Sequence, residues 1–83
     1  MELETIKVKV FSRIAAAANI PFCDVLPDST VESLKLDSLD VVEVVLALED
    51  DFEVEIDDGS IEGLRTVRQV VDHVAKLVAQ KAA

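Results

Sequence analysis

Cysteine and histidine are almost absent from the 83-residue sequence, which contains only Cys23 and His73. A single cysteine cannot form a disulfide framework, and this pair cannot supply the ligands of a structural zinc site. Glycine and proline are also scarce, with two of each, and this argues against a sandwich of many short strands joined by tight turns. With only Gly59 and Gly63 available, the sequence has no glycine-rich phosphate-binding loop.

Basic residues are few, because 8 Lys and Arg stand against 17 Asp and Glu and give a net charge of −9. Such a surface repels phosphate groups, which argues against nucleic acid and anionic membranes as partners. No apolar run approaches the ~18 residues of a membrane span, and the first residues lack the basic region of a secretory signal. We therefore expect one soluble, monomeric, cytoplasmic domain that covers residues 1–83.

The negative charge is concentrated in the middle of the chain. From Asp37 to Glu62 there are eleven acidic residues and no basic one, whereas residues 63–83 contain four basic residues and one acidic residue. A solvated acidic face is one interpretation of this segment. A partner-binding surface is the other, and the choice depends on where apolar residues lie among the acids.

Apolar residues recur at helical spacing in three long segments. These are residues 3–18, residues 38–52, and a final segment that starts at the capping box Thr66-Val67-Arg68-Gln69. Residues 60–64 can form one short helical turn. The sequence thus predicts an all-α fold, a small four-helix bundle with three long helices and one short helix. The expected core stripes are Leu3, Ile6, Val10, Ile14 and Ala17; Val41, Val44, Val45, Leu48 and Phe52; and Val67, Val70, Val71, Val74, Leu77 and Val78.

The second helix has apolar residues on the side opposite its core stripe as well. Leu39, Val42 and Leu46 lie there among carboxylates, which are Glu43, Glu49, Asp50 and Glu53. An apolar strip with a charged rim is typical of a partner-binding surface. A helix that is buried on both sides would show the same pattern.

The residue types give little support for catalysis or metal binding. Asp58-Gly59 resembles the middle of a calcium-binding EF-hand loop, but that register places Val54, Ile56 and Arg65 at ligand positions. His73 lies beside the core stripe of the last helix, where a packed or surface histidine is the simpler interpretation. Cys23 has no base nearby in the sequence that would activate its thiol. We expect no catalytic residue, no metal site and no enzymatic activity.

One candidate site remains, at the start of the second helix. Asp37 can cap this helix, and Asp40 is favoured near the positive end of the helix dipole. Ser38 then occupies the first helical position with an exposed hydroxyl. A serine without a base is a poor nucleophile, but a phosphodiester on its oxygen would lie at a helix N-terminus, where anions are favoured. A plain capping turn is the alternative interpretation.

From Thr30 to Val74 the sequence resembles the acyl carrier proteins. The likeness is strongest in Leu36-Asp37-Ser38-Leu39-Asp40 and in the helix that follows, and it continues through Val54-Glu55-Ile56 and Thr66-Val67. The resemblance implies that Ser38 carries 4′-phosphopantetheine, transferred from coenzyme A by a phosphopantetheinyl transferase (holo-acyl-carrier-protein synthase). It also implies that the thiol of this arm holds acyl groups as thioesters for fatty-acid or related biosynthetic enzymes.

The resemblance further implies a surface that meets basic docking patches on acyl-transferring and chain-elongating enzymes. We call this surface the partner face, and the helical spacing adds Val42 to the positions that the family supplies. Its residues are Asp37, Leu39, Asp40, Val42, Glu43, Leu46, Glu49 and Asp50.

The sequence departs from the usual family pattern before the motif. Lys35-Leu36 stands where the family usually has Gly-Ala or Gly-Leu, and Thr30 occupies a place where a large apolar residue often closes the core. A specialised carrier of a polyketide or another secondary pathway therefore stays open beside a fatty-acid carrier. Two further alternatives are a carrier-like domain that is never modified and a small hydrolase that uses Ser38; the absence of a base beside Ser38 disfavours the second.

Overall fold

Three α-helices and one 3₁₀ turn form the regular structure of the computed structural model, which describes residues 2–57, 59 and 63–82. In chain order they are α1 (Leu3–Ala18), the 3₁₀ turn (Phe22–Asp24), α2 (Ser38–Phe52) and α3 (Val67–Ala82). Across these residues the one extended pairing is an isolated antiparallel bridge between Thr30 and Thr66. The predicted all-α class and the bounds of α1 and α2 are confirmed. Most of the short turn predicted at residues 60–64 remains untested, because Ser60, Ile61 and Glu62 lie outside the described residues.

The core lies where α1 packs against both α2 and α3. Each helix contributes one side chain that is completely enclosed, and these are Val10, Leu48 and Val74. The predicted stripes are largely confirmed, but Leu3 is 56% exposed because it occupies the terminal turn of α1. The sequence analysis also missed two buried residues of α1, Phe11 and Ala15. A helix that contacts two neighbours buries a wider face than one stripe, which explains why residues adjacent to the stripe are enclosed.

The connection between α1 and α2 contains the 3₁₀ turn, which the sequence analysis did not predict. Its first residue, Phe22, stacks in a tilted arrangement on Phe11 of α1, with ring centroids 6.1 Å apart. The neighbouring Cys23 is exposed. The turn thus keeps the first part of the connection against α1.

The start of α3 is capped as the sequence predicts. The Gln69 backbone N–H donates to Thr66 Oγ1 at 3.2 Å, and the Gln69 side-chain oxygen accepts from the Thr66 N–H at 3.0 Å. These reciprocal bonds form a capping box. The side-chain oxygen of Gln69 also accepts from the Arg65 N–H at 2.7 Å, so the box holds one residue more than predicted.

The remaining N–H groups in the first turn of α3 bond to the loop that precedes α2. Val67 N–H donates to the Ser29 carbonyl at 3.0 Å, and Arg68 N–H donates to the Pro27 carbonyl at 2.9 Å. These bonds satisfy donors that a helix otherwise leaves free. They attach the loop to the N-terminus of α3.

An ion pair joins α1 to the last turn of α2. Arg13 Nε and Nη2 donate to the two carboxylate oxygens of Asp51 at 2.8 and 2.7 Å. The hydrogen bonds and the positive charge of Arg13 hold the pKa of Asp51 below its usual value. Because the folded-state pKa is the lower one, the unfolded chain binds more protons at this carboxyl, and the pair contributes stability only where Asp51 is ionised.

We expect Asp51→Asn to lower the melting temperature at neutral pH. The difference in melting temperature between the parent and this variant should be greatest well above the unfolded pKa of roughly 3.9. It should shrink as the pH falls through the lower folded-state pKa. Thermal unfolding from pH 7 to pH 3 measures this. Asp50→Asn is the control, because it removes the same charge from an exposed position next to Asp51. Equal effects of both variants at all pH values would contradict the assignment.

Three non-glycine residues of the described chain have left-handed backbone conformations, namely Asn19, Lys35 and Glu53. Asn19 and Glu53 end α1 and α2, at a position where this conformation is common. Lys35 has φ 58° and lies just before the candidate site. Its side chain therefore imposes strain where the resemblance to the acyl carrier proteins would place glycine.

We expect Lys35→Gly to stabilise the fold by about 0.5–1 kcal/mol. Left-handed backbone costs an ordinary residue roughly 1–2 kcal/mol, and the greater freedom of glycine in the unfolded chain offsets part of the gain. Denaturant unfolding measures the difference. Asn19→Gly is the control and should change stability less, because asparagine tolerates this conformation. A destabilised Lys35→Gly variant would refute the strain.

Candidate functional site at the start of helix α2

Two aspartates fix the start of α2. Asp37 Oδ1 accepts from the Asp40 backbone N–H at 2.8 Å, and Asp40 Oδ2 accepts from the Asp37 N–H at 3.2 Å. The predicted cap at Asp37 is confirmed. The return bond from Asp40 was not predicted, although an acidic residue three positions after the cap is its sequence signal. Both carboxylates are thereby held beside Ser38.

The Ser38 side chain is exposed at the first position of α2. No hydrogen bond of its hydroxyl, and no acceptor for the backbone N–H of Ser38 or Leu39, is found among the described residues. The first turn of α3 differs, since its donors at Val67, Arg68 and Gln69 all have acceptors. The start of α2 therefore presents a free hydroxyl beside unsatisfied donors at the positive end of a helix, an arrangement that favours a bound anion.

A tight turn leads into this site. Thr30 and Ser33 bond reciprocally: the Ser33 hydroxyl accepts from the Thr30 N–H at 2.8 Å and donates to the Thr30 carbonyl at 3.0 Å, and Thr30 Oγ1 accepts from the Ser33 N–H at 3.0 Å. The Leu36 N–H then donates to the Val31 carbonyl at 3.0 Å. Thr30 is polar because it caps this turn, which accounts for one departure from the family pattern.

The apolar centre of the partner face is exposed. Leu39, Val42 and Leu46 are 65%, 49% and 58% exposed, so α2 is buried on one side only and the alternative of a helix enclosed on both sides is wrong. Glu43 and Asp50 of the rim are also exposed. The surface therefore has an apolar centre and carboxylates around it.

Two carboxylates of the rim also accept hydrogen bonds from backbone N–H groups of the protein itself. Glu49 is half-buried, and its Oε2 accepts from the Ile56 N–H at 2.8 Å. This bond fixes the segment after α2. Asp40 is half-buried as well, because it completes the capping box. The sequence analysis could not detect the bond from Ile56, since that residue lies beyond the end of the helix.

An apolar cavity of about 60 Å³ lies behind the site, between α2 and α3. Leu36 and Val41, which flank the Asp37–Asp40 segment, belong to its wall. Among the described residues that line it, His73 on α3 has the only polar side chain. The sequence analysis missed the cavity because its wall combines residues from several separate segments. The wall consists of Ile14, Val31, Leu36, Val41, Val44, Val45, Leu48, Ile56, Leu64, Val70, His73 and Val74.

Residues 2–57, 59 and 63–82 contain neither a candidate metal site nor a membrane-spanning helix. No group of three or more His, Cys, Asp or Glu side chains that could hold a metal ion occurs there. No helix in the same part of the chain has the length and apolar character needed to cross a membrane.

Comparison with known proteins identifies the kind of site. Residues 9–74 match the family model that describes a phosphopantetheine attachment site. The acyl carrier protein of Syntrophobacter fumaroxidans is 40% identical over 77 residues, which cover 92% of this chain and 95% of the relative. The acyl carrier protein of Helicobacter hepaticus is 42% identical over 72 residues, with 86% and 90% coverage.

The fold agrees with these sequence matches. A crystal structure of an acyl carrier protein from Thermotoga maritima superposes with a TM-score of 0.80 at 28% identity, covering 96% of this chain and 94% of the other. The fold and the match to the attachment-site family thus define a phosphopantetheine-bearing carrier domain. The chain belongs to the acyl carrier protein family, whose members are carriers and not enzymes, bear 4′-phosphopantetheine and interact with transferases and synthases.

Proposed function

We propose that Ser38 is the residue to which 4′-phosphopantetheine is attached, and that the thiol of the arm then carries acyl groups as thioesters. The exposed Ser38 hydroxyl at the start of α2 is the observation that supports this most directly. Asp37 and Asp40 supply the cap to each other, so Ser38 is not needed to hold the helix. The free N–H groups beside it suit the phosphodiester charge.

The attachment step balances with Ser38 as the acceptor. Its Oγ forms a bond to the phosphorus that bears the pantetheine arm of coenzyme A, while the pyrophosphate bond breaks and adenosine 3′,5′-bisphosphate leaves. The hydroxyl proton passes to a base of the transferase, because the two carboxylates nearest in sequence are engaged in the capping box. The chain itself positions the hydroxyl and provides the positive end of α2.

The test is modification of the intact protein. Incubation with coenzyme A and a promiscuous phosphopantetheinyl transferase should add the mass of one phosphopantetheine group, and fragment-ion mass spectrometry should locate it on Ser38. The same fragment ions distinguish Ser38 from Ser33, which lies five positions earlier. Absence of the added mass, or attachment to another residue, would overturn the proposal and favour an unmodified carrier-like domain.

We propose that the partner face binds the transferase (holo-acyl-carrier-protein synthase) and the acyl-transferring and chain-elongating enzymes through their basic patches. The exposed centre of Leu39, Val42 and Leu46 supports this proposal, as does the complete lack of basic residues from Asp37 to Glu62. Rim charges act mainly on the rate of encounter, whereas a buried apolar anchor sets the lifetime of the complex.

Glu43→Lys should therefore slow association with the transferase by roughly tenfold at low salt and flatten the salt dependence of the association rate. Dissociation should change little. Stopped-flow binding at several salt concentrations measures both rates. The control Asp72→Lys reverses an exposed charge on α3, away from the partner face. An equal slowing in the control would mean that net charge, and not this face, guides association.

We propose in addition that residues 1–83 form a single, monomeric domain and that the short helix at 60–64 completes a four-helix bundle. Fatty acid biosynthesis is the usual role of the family, and we propose this pathway and a cytoplasmic location for this chain. A polyketide or other secondary pathway is the alternative, and identification of the acyl groups attached in the native host distinguishes the two.

A further inference from the structure

His73, which contributes to the wall of the cavity behind Ser38, carries a buried polar atom that is unsatisfied. His73 Nε2 is buried and has no hydrogen-bond partner within the described part of the chain. The other described side chains of the wall are aliphatic. A buried polar group without a partner is costly, and a hydrophobic residue at this position would avoid the cost. The presence of histidine therefore calls for a ligand that bonds to Nε2.

Water alone is a poor partner for this nitrogen. The cavity volume of about 60 Å³ exceeds the roughly 10–15 Å³ that one water needs, but a stable buried water also requires two to four polar contacts. In the described part of the wall, His73 supplies the one polar side chain. A suitable ligand must bring its own polar group together with apolar carbon that matches the remaining wall.

The position of the cavity connects it to the proposed attachment residue. Leu36 precedes the Asp37–Asp40 segment and Val41 follows it, and both line the cavity. An acyl chain on an arm at Ser38 has this apolar space directly behind its point of attachment. The cavity then extends to Val70, His73 and Val74 of α3.

We propose that His73 is a specificity-determining residue that binds a hydroxyl group on the carried acyl chain through Nε2. This inference rests on the proposed carrier function of Ser38. A hydroxyl both donates and accepts, so it satisfies Nε2 in either neutral tautomer of the imidazole, whereas a keto oxygen only accepts. A plain saturated chain leaves Nε2 unpaired, and sites with a buried polar group discriminate against such analogues. The protein therefore binds an attached hydroxyacyl chain in this cavity in preference to a saturated chain of equal length.

The test compares acyl forms of the intact protein. The transferase loads octanoyl, 3-hydroxyoctanoyl or 3-oxooctanoyl pantetheine from the corresponding acyl-coenzyme A onto the parent and onto His73→Phe and His73→Gln. In the parent, the hydroxyoctanoyl form should melt about 4–8 °C above the octanoyl form, as one added buried hydrogen bond predicts for a domain of this size. The ¹⁵N resonance of His73 Nε2 should shift with the hydroxyoctanoyl chain and not with the octanoyl chain.

The two variants separate a binding role from a packing role. His73→Phe should fold, and its hydroxyoctanoyl and octanoyl forms should have the same melting temperature. His73→Gln keeps a hydrogen-bonding group and should retain part of the difference. If the parent's acyl forms have equal melting temperatures and the Nε2 resonance is unchanged, the role of His73 is overturned. The attachment at Ser38 is not affected by that outcome. Failure of the parent to accept any acyl-pantetheine would overturn the attachment at Ser38 and this inference with it.

Discussion

Ser38→Ala is expected to abolish attachment of phosphopantetheine completely and to leave the fold unchanged. The variant lacks the oxygen that would form the phosphodiester. Its stability should stay within about 0.5 kcal/mol of the parent, because Ser38 is exposed and such surface substitutions have small effects. The Asp37–Asp40 capping box does not involve the serine side chain. Intact mass after incubation with transferase, together with a thermal melt, measures both quantities.

Ser33→Ala is the converse control. Its hydroxyl has two hydrogen bonds to Thr30, so its loss should destabilise the turn by roughly 0.5–1.5 kcal/mol. Modification should nevertheless proceed at Ser38. If Ser38→Ala still gains the phosphopantetheine mass, or if Ser33→Ala prevents modification in folded protein, the attachment residue is wrongly assigned.

Leu48→Ala should destabilise the protein by about 2–5 kcal/mol, the usual cost of truncating a buried leucine. Leu48 is fully enclosed and also lines the cavity. Stabilities of small domains are only about 5–15 kcal/mol, so this one change removes a large share. Urea unfolding followed by circular dichroism measures the loss.

Leu46→Ala is the matched control, two positions away on the same helix. Leu46 is 58% exposed, and its truncation should change stability by less than about 0.5 kcal/mol. It should instead increase the dissociation rate of the transferase, because apolar anchors govern residence time. A loss of stability like that of Leu48→Ala would mean that the two faces of α2 are interchanged and that partners bind elsewhere.

Helix positions were predictable from the sequence because the signals are local. The 3.6-residue spacing gave the bounds of α1 and α2, and Thr66 with Gln69 marked the start of α3. Burial of Phe11 and Ala15 was not predictable in the same way. It depends on α1 packing against two helices at once, which is information about the tertiary structure.

The candidate site likewise combines local features that the sequence predicts with tertiary features that it does not. Ser38 and its cap at Asp37 follow from a short motif, and the exposure of Leu39 and Leu46 follows from helix geometry. The left-handed conformation of Lys35 was not predictable from the sequence, because lysine is not a residue type that indicates this conformation. The cavity and the unpaired Nε2 of His73 were also hidden, since they exist only where distant segments meet.

The bonds from Val67 and Arg68 to the carbonyls of Ser29 and Pro27 have a consequence for folding. Their partners are separated by about forty residues, so the entropy of closing that loop must be overcome before these bonds form. An isolated α3 can form its interior hydrogen bonds but cannot protect these two amides. Their hydrogen exchange therefore reports whether the segment leading to Ser38 is docked on α3. An enzyme that draws this segment away as it reaches Ser38 would accelerate exchange at both amides while the rest of α3 stays protected.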